Sequence, residues 1–521
     1  MDSLLTNTHL YLMEVIKKYR TQIVFHLLLN LIILVFVTYS TFYHIPLNGW
    51  EKVGYLFFLL LIQFTVFGFV YFLSLNRILF VILFPIAFII CGISSFWVYT
   101  QDIIINEGVI QATLETKSDI VADLISFPLI LYIISLIIVT VFILKKYYLL
   151  KNNTIKSPLS IFAVLALTVF LFLFIKRPMT FDSKSPYNIF IGLIDYYQKP
   201  ILEFKEINIP ITSSSDTLKI ILILGESVRA DHLSLNGYNR NTTPLLEARD
   251  AVISFPNIFT SKTYTGESIP QILTNQSIND SISTSLVSLI DVFNKAKIQT
   301  IWIGNQTPEK SYLHFIKQCS IKKFIDPYHS YLTYHKDLDE KLLPYFDSYF
   351  QKEKKQLIIF HTMGSHWFYE NRYRKEFQKF EPVMQSKFLK ANTEQEIINS
   401  YDNTIVYFDY FLDSLIQKIE ETHTNTLVVY LSDHGESLGE NGIWLHGQEA
   451  TNKNPAMVVW FPREFIKRNP NKTKNLLEKK NQNITTDFLF HSFMDIFKIE
   501  GISYQRDLSL FKQADTIPNK L

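Results

Sequence analysis

Five long apolar runs in the first third of the chain constrain everything that follows. They lie at about Ile23–Phe42, Val53–Leu75, Ile78–Tyr99, Ile120–Leu144 and Leu159–Ile175. A helix needs about 20 predominantly apolar residues to cross the hydrocarbon core of a bilayer, so each run predicts a transmembrane helix. Lys17, Lys18 and Arg20 precede the first run, and no small-residue cleavage site follows it. That is the pattern of a retained anchor, not of a removed signal peptide. The connections "NR" (76–77) and "KKYYLLKNNTIK" (145–156) are basic, whereas "YHIPLNGWEK" (43–52) and "QDIIINEGVIQATLETKSD" (101–119) are not. The positive-inside rule therefore places the amino terminus in the cytoplasm. An odd number of spans then puts everything after the fifth outside.

The rest of the 521 residues read as a soluble protein. With 50 basic and 48 acidic residues, the charge balance gives no electrostatic case for nucleic acid. Of the two cysteines, Cys91 sits in an apolar run and Cys319 stands alone in the soluble part, so no internal disulfide is available there. The expected organisation is a transmembrane domain over 1–177, a bridge over 178–215 and a soluble domain over 216–521. In the bridge, "IFIGLIDYYQKPILEF" has the pattern of an amphipathic helix at a membrane surface. In the soluble part, "KIILILG", "TIWIGN", "QLIIFHTMG", "TLVVYLSDHG" and "PAMVVWFP" alternate with helical segments such as "EQEIINSYDNTIVYFDYFLDSLIQKIEE". Continuous apolar strands separated by helices predict an α/β domain with a mostly parallel sheet, covered on both faces.

Polar residues fall where these strands end. "LGES" closes the first strand, "HTMGSH" another and "LSDHGES" a third. Ligands of open parallel sheets bind beyond the carboxyl ends of the strands, so Glu226, His366, Asp433 and His434 are expected to converge on one edge. A buried carboxylate is costly unless paired or bound to a cation. Carboxylates mixed with imidazoles, without thiolates, suit zinc or manganese.

"GESVRADHLSLNGYNRNTTP", "SKTYTGESIP", "HTMGSH", "YDNTIVYFDYFLDSLI" and "SDHGESLGENGIWLHG" together resemble the motif set of the bacterial phosphoethanolamine transferases, members of the alkaline phosphatase/sulfatase superfamily. The resemblance covers essentially the whole chain, since five spans followed by a periplasmic domain is also the family arrangement. It implies that Glu226, Thr263, Asp433 and His434 ligate a catalytic Zn²⁺. Thr263, the first Thr of "TYTGESIP", would be the nucleophile. His366 and His446 match histidines near the phosphoryl group, able to carry protons or hold a second metal. Thr307 and Lys310, in "NQTPEK", match residues that contact phosphoethanolamine. Thr116 matches a substrate-contacting position in a periplasmic loop, although Ala112 and Ile120 replace the Asn and Glu of many members. Family members that modify lipid A usually carry several disulfides, one from a position that is Ser261 here, so the chain is more similar to members that modify core sugars.

The reaction this implies has two halves. Thr263 takes phosphoethanolamine from phosphatidylethanolamine, releasing diacylglycerol, and then passes it to lipopolysaccharide on a core sugar or lipid A. The expected protein is a monomer in the inner membrane with its catalytic domain in the periplasm. A phosphoglycerol transferase using phosphatidylglycerol is the alternative on the same scaffold. A sulfatase or phosphatase is the other, but "SKTYTGESIP" lacks the "C/S-x-P-x-R" context that sulfatases need.

Overall fold

Seven strands run side by side in the carboxyl-terminal part, and the central ones leave no polar face. In the computed structural model, which describes residues 2–43, 49–101, 103, 105–115, 125–150, 159–177, 179–198, 202–280, 285–306, 308–325 and 337–512, every residue of "KIILILG" is buried. The strands are β1 (Lys219–Gly225), β2 (Val252–Ser254), β3 (Gln299–Gly304), β4 (Ile321–Phe324), β5 (Gln356–His361), β6 (Thr426–Ser432) and β7 (Met457–Trp460). Their order across the sheet is β2-β7-β6-β1-β5-β3-β4. β7 runs antiparallel to both neighbours, and the other pairs are parallel. A sheet buried on both faces needs continuous apolar strands, and these supply them.

Register is what positions the site. Leu224 pairs with His361 on one side and Leu431 on the other, and Gly304 also pairs with His361. The carboxyl ends of β1, β3, β5 and β6 are thus level, and the residues that follow them emerge at one edge. Gly225 closes β1 because a Cβ there would lie 2.1 Å from the Tyr430 hydroxyl.

The chain divides into two compact units, Met1–Leu114 with Leu124–Lys199 and Glu115–Asp123 with Pro200–Leu521. The first holds α1 (Asp2–Phe36), α2 (Gly49–Leu75), α3 (Arg77–Gln101), α4 (Glu107–Glu115), α5 (Phe127–Tyr148), α6 (Leu159–Lys176) and α7 (Tyr187–Gln198). Among the described residues, five helices are long and apolar enough to cross a membrane: Lys17–Thr41, Lys52–Leu75, Arg77–Gln101, Phe127–Tyr148 and Leu159–Lys176. The fourth begins at Phe127, later than the apolar run at Ile120 implies. Ser126 stops the helix from starting earlier: it is extended, and its side chain accepts from the Leu129 N–H with Pro128 at the first turn. The connection before it is not all loop, since α4 forms over 107–115. Along α3 the rings of Phe80 and Phe84 stack at 4.9 Å and those of Phe84 and Phe88 at 5.5 Å, and Phe80 meets Tyr147 of α5 at 4.2 Å. Gly68 lets α2 approach α6 closely, because a Cβ there would sit 2.8 Å from the Ala166 methyl and 3.1 Å from the Ala163 carbonyl.

Candidate metal and nucleophile site

Glu226 leaves β1 through a strained turn. Ser227, not a glycine, takes φ of 59°, a region that costs a non-glycine residue free energy. Hydrogen bonds over-determine it. Tyr401 donates to the Ser227 carbonyl at 2.7 Å and accepts from the Arg229 N–H at 2.9 Å. The Ser227 N–H donates to Asp433 Oδ1 at 3.2 Å. Gly364, at φ of 49°, packs against this turn, where a Cβ would lie 2.7 Å from the Glu226 carbonyl.

The turn delivers a buried carboxylate with three side-chain donors. Ser227 Oγ donates to Glu226 Oε1 at 2.7 Å, while Thr265 Oγ1 (2.9 Å) and Gln306 Nε2 (3.2 Å) donate to Oε2. Asp433 and His434 follow β6 directly. His434 gives its Nδ1 hydrogen to the Gly435 carbonyl at 2.7 Å, so Nε2 carries the lone pair and faces the carboxylates. It stands 3.6 Å from Glu226 Oε1 and 3.5 Å from Asp433 Oδ2. One donor atom from each of Glu226, His434 and His446 lies within 4.8 Å of the others.

This arrangement fits a cation. Asp433 Oδ2 and His434 Nε2 are buried with no hydrogen-bond partner, which is what ligand atoms look like without their ion. The electrostatics agree. Burial works to raise the Glu226 carboxyl, but the imidazoles of His434, His366 and His446 outweigh it and bring it down to about 2. Burial and the neighbouring Glu226 push Asp433 up to about 7. Two carboxylates this close do not both ionise at neutral pH without a positive charge between them. Burial, with His434 adding to it, holds His446 down at about 3.

Of the residues expected from the sequence, the structure gathers Glu226, Asp433, His434 and His446 at the sheet edge. Thr263 is buried just before α8 (Thr265–Ile272), and its Oγ1 accepts an N–H from Gln448 at 3.0 Å. The Tyr264 ring stacks on His446 at 5.4 Å, and His446 meets His434 edge-on at 4.8 Å. The loop that carries Thr263 and the loop that carries the imidazoles are therefore in contact. His366 ends the β5 loop, its Nδ1 on the Trp367 carbonyl at 2.6 Å and its own carbonyl on Arg372 Nε at 2.7 Å. Lys310 is exposed. Thr116 and Thr307 lie outside the described residues. Sequence reasoning offers Thr265 only as a competing nucleophile, not as a donor to Glu226, and misses Gln306 and Gln448. Each is a neutral amide or hydroxyl within three residues of a residue it did select, and nothing in a short polar word marks which neighbour turns inward.

Comparison with known proteins matches residues 219–499 to the sulfatase family and residues 56–184 to a model described as phosphoethanolamine transferase EptA/EptB. The chain belongs to the sulfatase family. It is 33% identical over 299 residues to phosphoethanolamine transferase EptA of Escherichia coli K12, covering 55% of this chain and 54% of that one. It is 28% identical over 456 residues to EptA of Helicobacter pylori, covering 81% and 83%. The chain thus spans about half the length of the first of these curated relatives. Among solved structures, the integral membrane lipooligosaccharide phosphoethanolamine transferase A of Neisseria meningitidis has the same fold, with a TM-score of 0.80 at 23% identity over 94% of this chain and 98% of that one.

Proposed function

We propose that this chain is a zinc-dependent transferase of the bacterial inner membrane. Its reaction moves phosphoethanolamine from phosphatidylethanolamine to lipopolysaccharide, on a core sugar or lipid A, through a phosphoethanolaminyl-Thr263 intermediate. The observation that carries the reading is the meeting of a buried threonine loop with a cluster of orphaned carboxylate and imidazole atoms at one sheet edge. Its similarity to phosphoethanolamine transferases supports the choice of phosphoryl group.

Glu226, Asp433 and His434, with Thr263, would hold one Zn²⁺. When bound, the ion supplies Lewis acidity, lowering the pKa of a neighbouring hydroxyl and neutralising charge on phosphoryl oxygens. The chain's own groups do the rest. Thr263 Oγ1 attacks phosphorus, and the bond to the glyceride oxygen breaks, releasing diacylglycerol once that oxygen is protonated. His446 and His366, whose imidazoles both act on the Glu226 carboxylate, carry the proton between these oxygens. An acceptor hydroxyl or phosphate then attacks phosphorus and frees Thr263. Lys310, at the surface beside the β3 loop, contacts the headgroup together with Thr307 and Thr116. The catalytic unit faces the periplasm, the enzyme acts as a monomer, and the membrane helices keep it beside a donor that never leaves the bilayer.

Phosphatidylethanolamine with a fluorescent acyl chain tests the reading. The full chain in detergent is expected to release fluorescent diacylglycerol, and the peptide containing Thr263 to gain the mass of phosphoethanolamine. Cleavage of the phosphatidylglycerol analogue alone would keep the nucleophile and reject the donor.

A further inference from the structure

The Thr263 hydroxyl has a donor that neither the metal cluster nor the histidines account for. Gln448 Nε2 lies 3.0 Å from Thr263 Oγ1, on a loop fixed from several sides. Buried Asn452 donates to the Leu445 carbonyl at 2.9 Å and accepts from Ser437 Oγ at 2.6 Å. Leu445 takes φ of 61°, and Glu449, next to Gln448, accepts from Asn441 at 2.9 Å. Two residues earlier the same loop presents His446, whose ring stacks on Tyr264. The loop on either side of Gln448 is thus held by its own hydrogen bonds, and the exposed Gln448 side chain reaches from it to the buried Thr263 hydroxyl.

We propose that Gln448 is a catalytic residue whose amide N–H stabilises negative charge on the Thr263 oxygen. This rests on the reading of Thr263 as nucleophile. The role differs between the two halves of the reaction. In the first, the Thr263 oxygen gives up its negative character as its bond to phosphorus forms and the bond to the glyceride oxygen breaks. The donor lowers the pKa of the hydroxyl there but also tempers the nucleophile, and the two effects oppose each other. In the second, the acceptor oxygen bonds to phosphorus, the bond from phosphorus to Thr263 Oγ1 breaks, and the electron pair returns to Oγ1. Charge develops at the atom where the Gln448 N–H is aimed, so the donor favours the transition state outright. Gln448 therefore acts chiefly on release of the phosphoryl group from the enzyme.

The test uses the full chain in detergent with fluorescent phosphatidylethanolamine and purified lipopolysaccharide, in four forms: wild type, Gln448→Leu, Gln448→Glu and Thr263→Ala. Two quantities are read, steady-state turnover and the fraction of Thr263 carrying phosphoethanolamine by mass spectrometry. Gln448→Leu is expected to lower turnover about tenfold. That is less than the 10²–10³ of a fully enclosed donor, because Gln448 borders solvent. The modified fraction of Thr263 is expected to rise, since the second half slows more than the first. Gln448→Glu places a carboxylate against the same oxygen and is expected to lower turnover further. Bound metal and thermal unfolding are expected to match wild type in both. Unchanged turnover, or a modified fraction that falls along with turnover, overturns the role. Diacylglycerol release by Thr263→Ala would overturn the nucleophile itself, whatever the Gln448 variants do.

Discussion

The membrane helices and the sheet edge bury residues for opposite ends. In the helical unit, stacked Phe80, Phe84 and Phe88 and the close approach of Gly68 to Ala166 are contacts of shape. Polar groups there are few, and some tie one helix to another, as where Tyr187 donates to Thr65 at 2.8 Å and Tyr147 to the Ser74 carbonyl at 2.6 Å. At the sheet edge the buried atoms are charged, and some are left without partners. Lipid is as apolar as the side chains, so large residues on the helix surface carry little specificity and small residues at crossings carry much. At the sheet edge every oxygen has a direction. One unit should forgive most changes that keep its apolar character, and the other almost none.

Five experiments sharpen that contrast, from the largest effect to the smallest. Thr263→Ala is expected to reduce transfer by about 10³-fold or more, as loss of a covalent nucleophile does, while the purified protein unfolds at the wild-type temperature. A fall in both would make Thr263 a packing residue.

Removal of metal by a chelator is expected to destabilise the carboxyl-terminal unit by about 3–4 kcal/mol relative to protein with ion at 100 to 1,000 times its dissociation constant, with no change in the helical unit. Differential scanning calorimetry with re-addition of Zn²⁺ measures this. The ion competes with protons. In the ion-free site burial and Glu226 hold Asp433 up at about 7, and the two carboxylates, working against burial, raise His434. Both groups must be deprotonated to ligate, so affinity should weaken as pH falls through about 7, and binding near neutrality should release protons. Titration calorimetry in buffers of different ionisation enthalpy counts them, and a count of zero would remove Asp433 from the ligand set.

In the helical unit, Gly68→Leu should cost about 1–3 kcal/mol by forcing α2 from α6, read as loss of resistance to denaturation in detergent. The smallest effect is expected at the lipid-facing Ile138, which is 62% exposed. Ile138→Leu should stay within about 0.5 kcal/mol. A large loss there would mean that this face is covered by protein.

Much of this contrast was legible before any coordinates. Each apolar run in the first 177 residues is long enough to decide its own structure, and the continuous strands β1, β5 and β6 announce a sheet buried on both faces. Glu226, Asp433 and His434 stood out because a charge directly after such a strand has few explanations. What was hidden depends on directions that one-letter patterns do not hold. Ser126, an extended cap, moved the start of the fourth span to Phe127. The left-handed turn at Ser227 exists because Tyr401, more than 170 residues later, supports it. The sequence leaves His446 open between carrying protons and holding a metal, and only the fold shows that a ring nitrogen lies among the ligand atoms of Glu226 and His434. Gln448 gave no signal, since a glutamine two residues after a histidine is ordinary in a surface loop.

The level strand ends have one more implication. The segment between Asp433 and β7 leaves the sheet and returns to the neighbouring strand, so its ends are fixed while its interior, including Gln448, is not part of the sheet. Doubling the length of such a segment costs only about 0.6 kcal/mol in closure entropy. The turn after β1 has no such freedom, hemmed in by Tyr430 at Gly225 and by Gly364 at Glu226. Under selection, whether for a new acceptor or for escape from a drug aimed at this edge, variation should accumulate at the exposed tip of this segment, residues 441–442, away from His446 and Gln448, and stay out of 225–229. A blocker anchored to the β1 turn would be the harder one to evade.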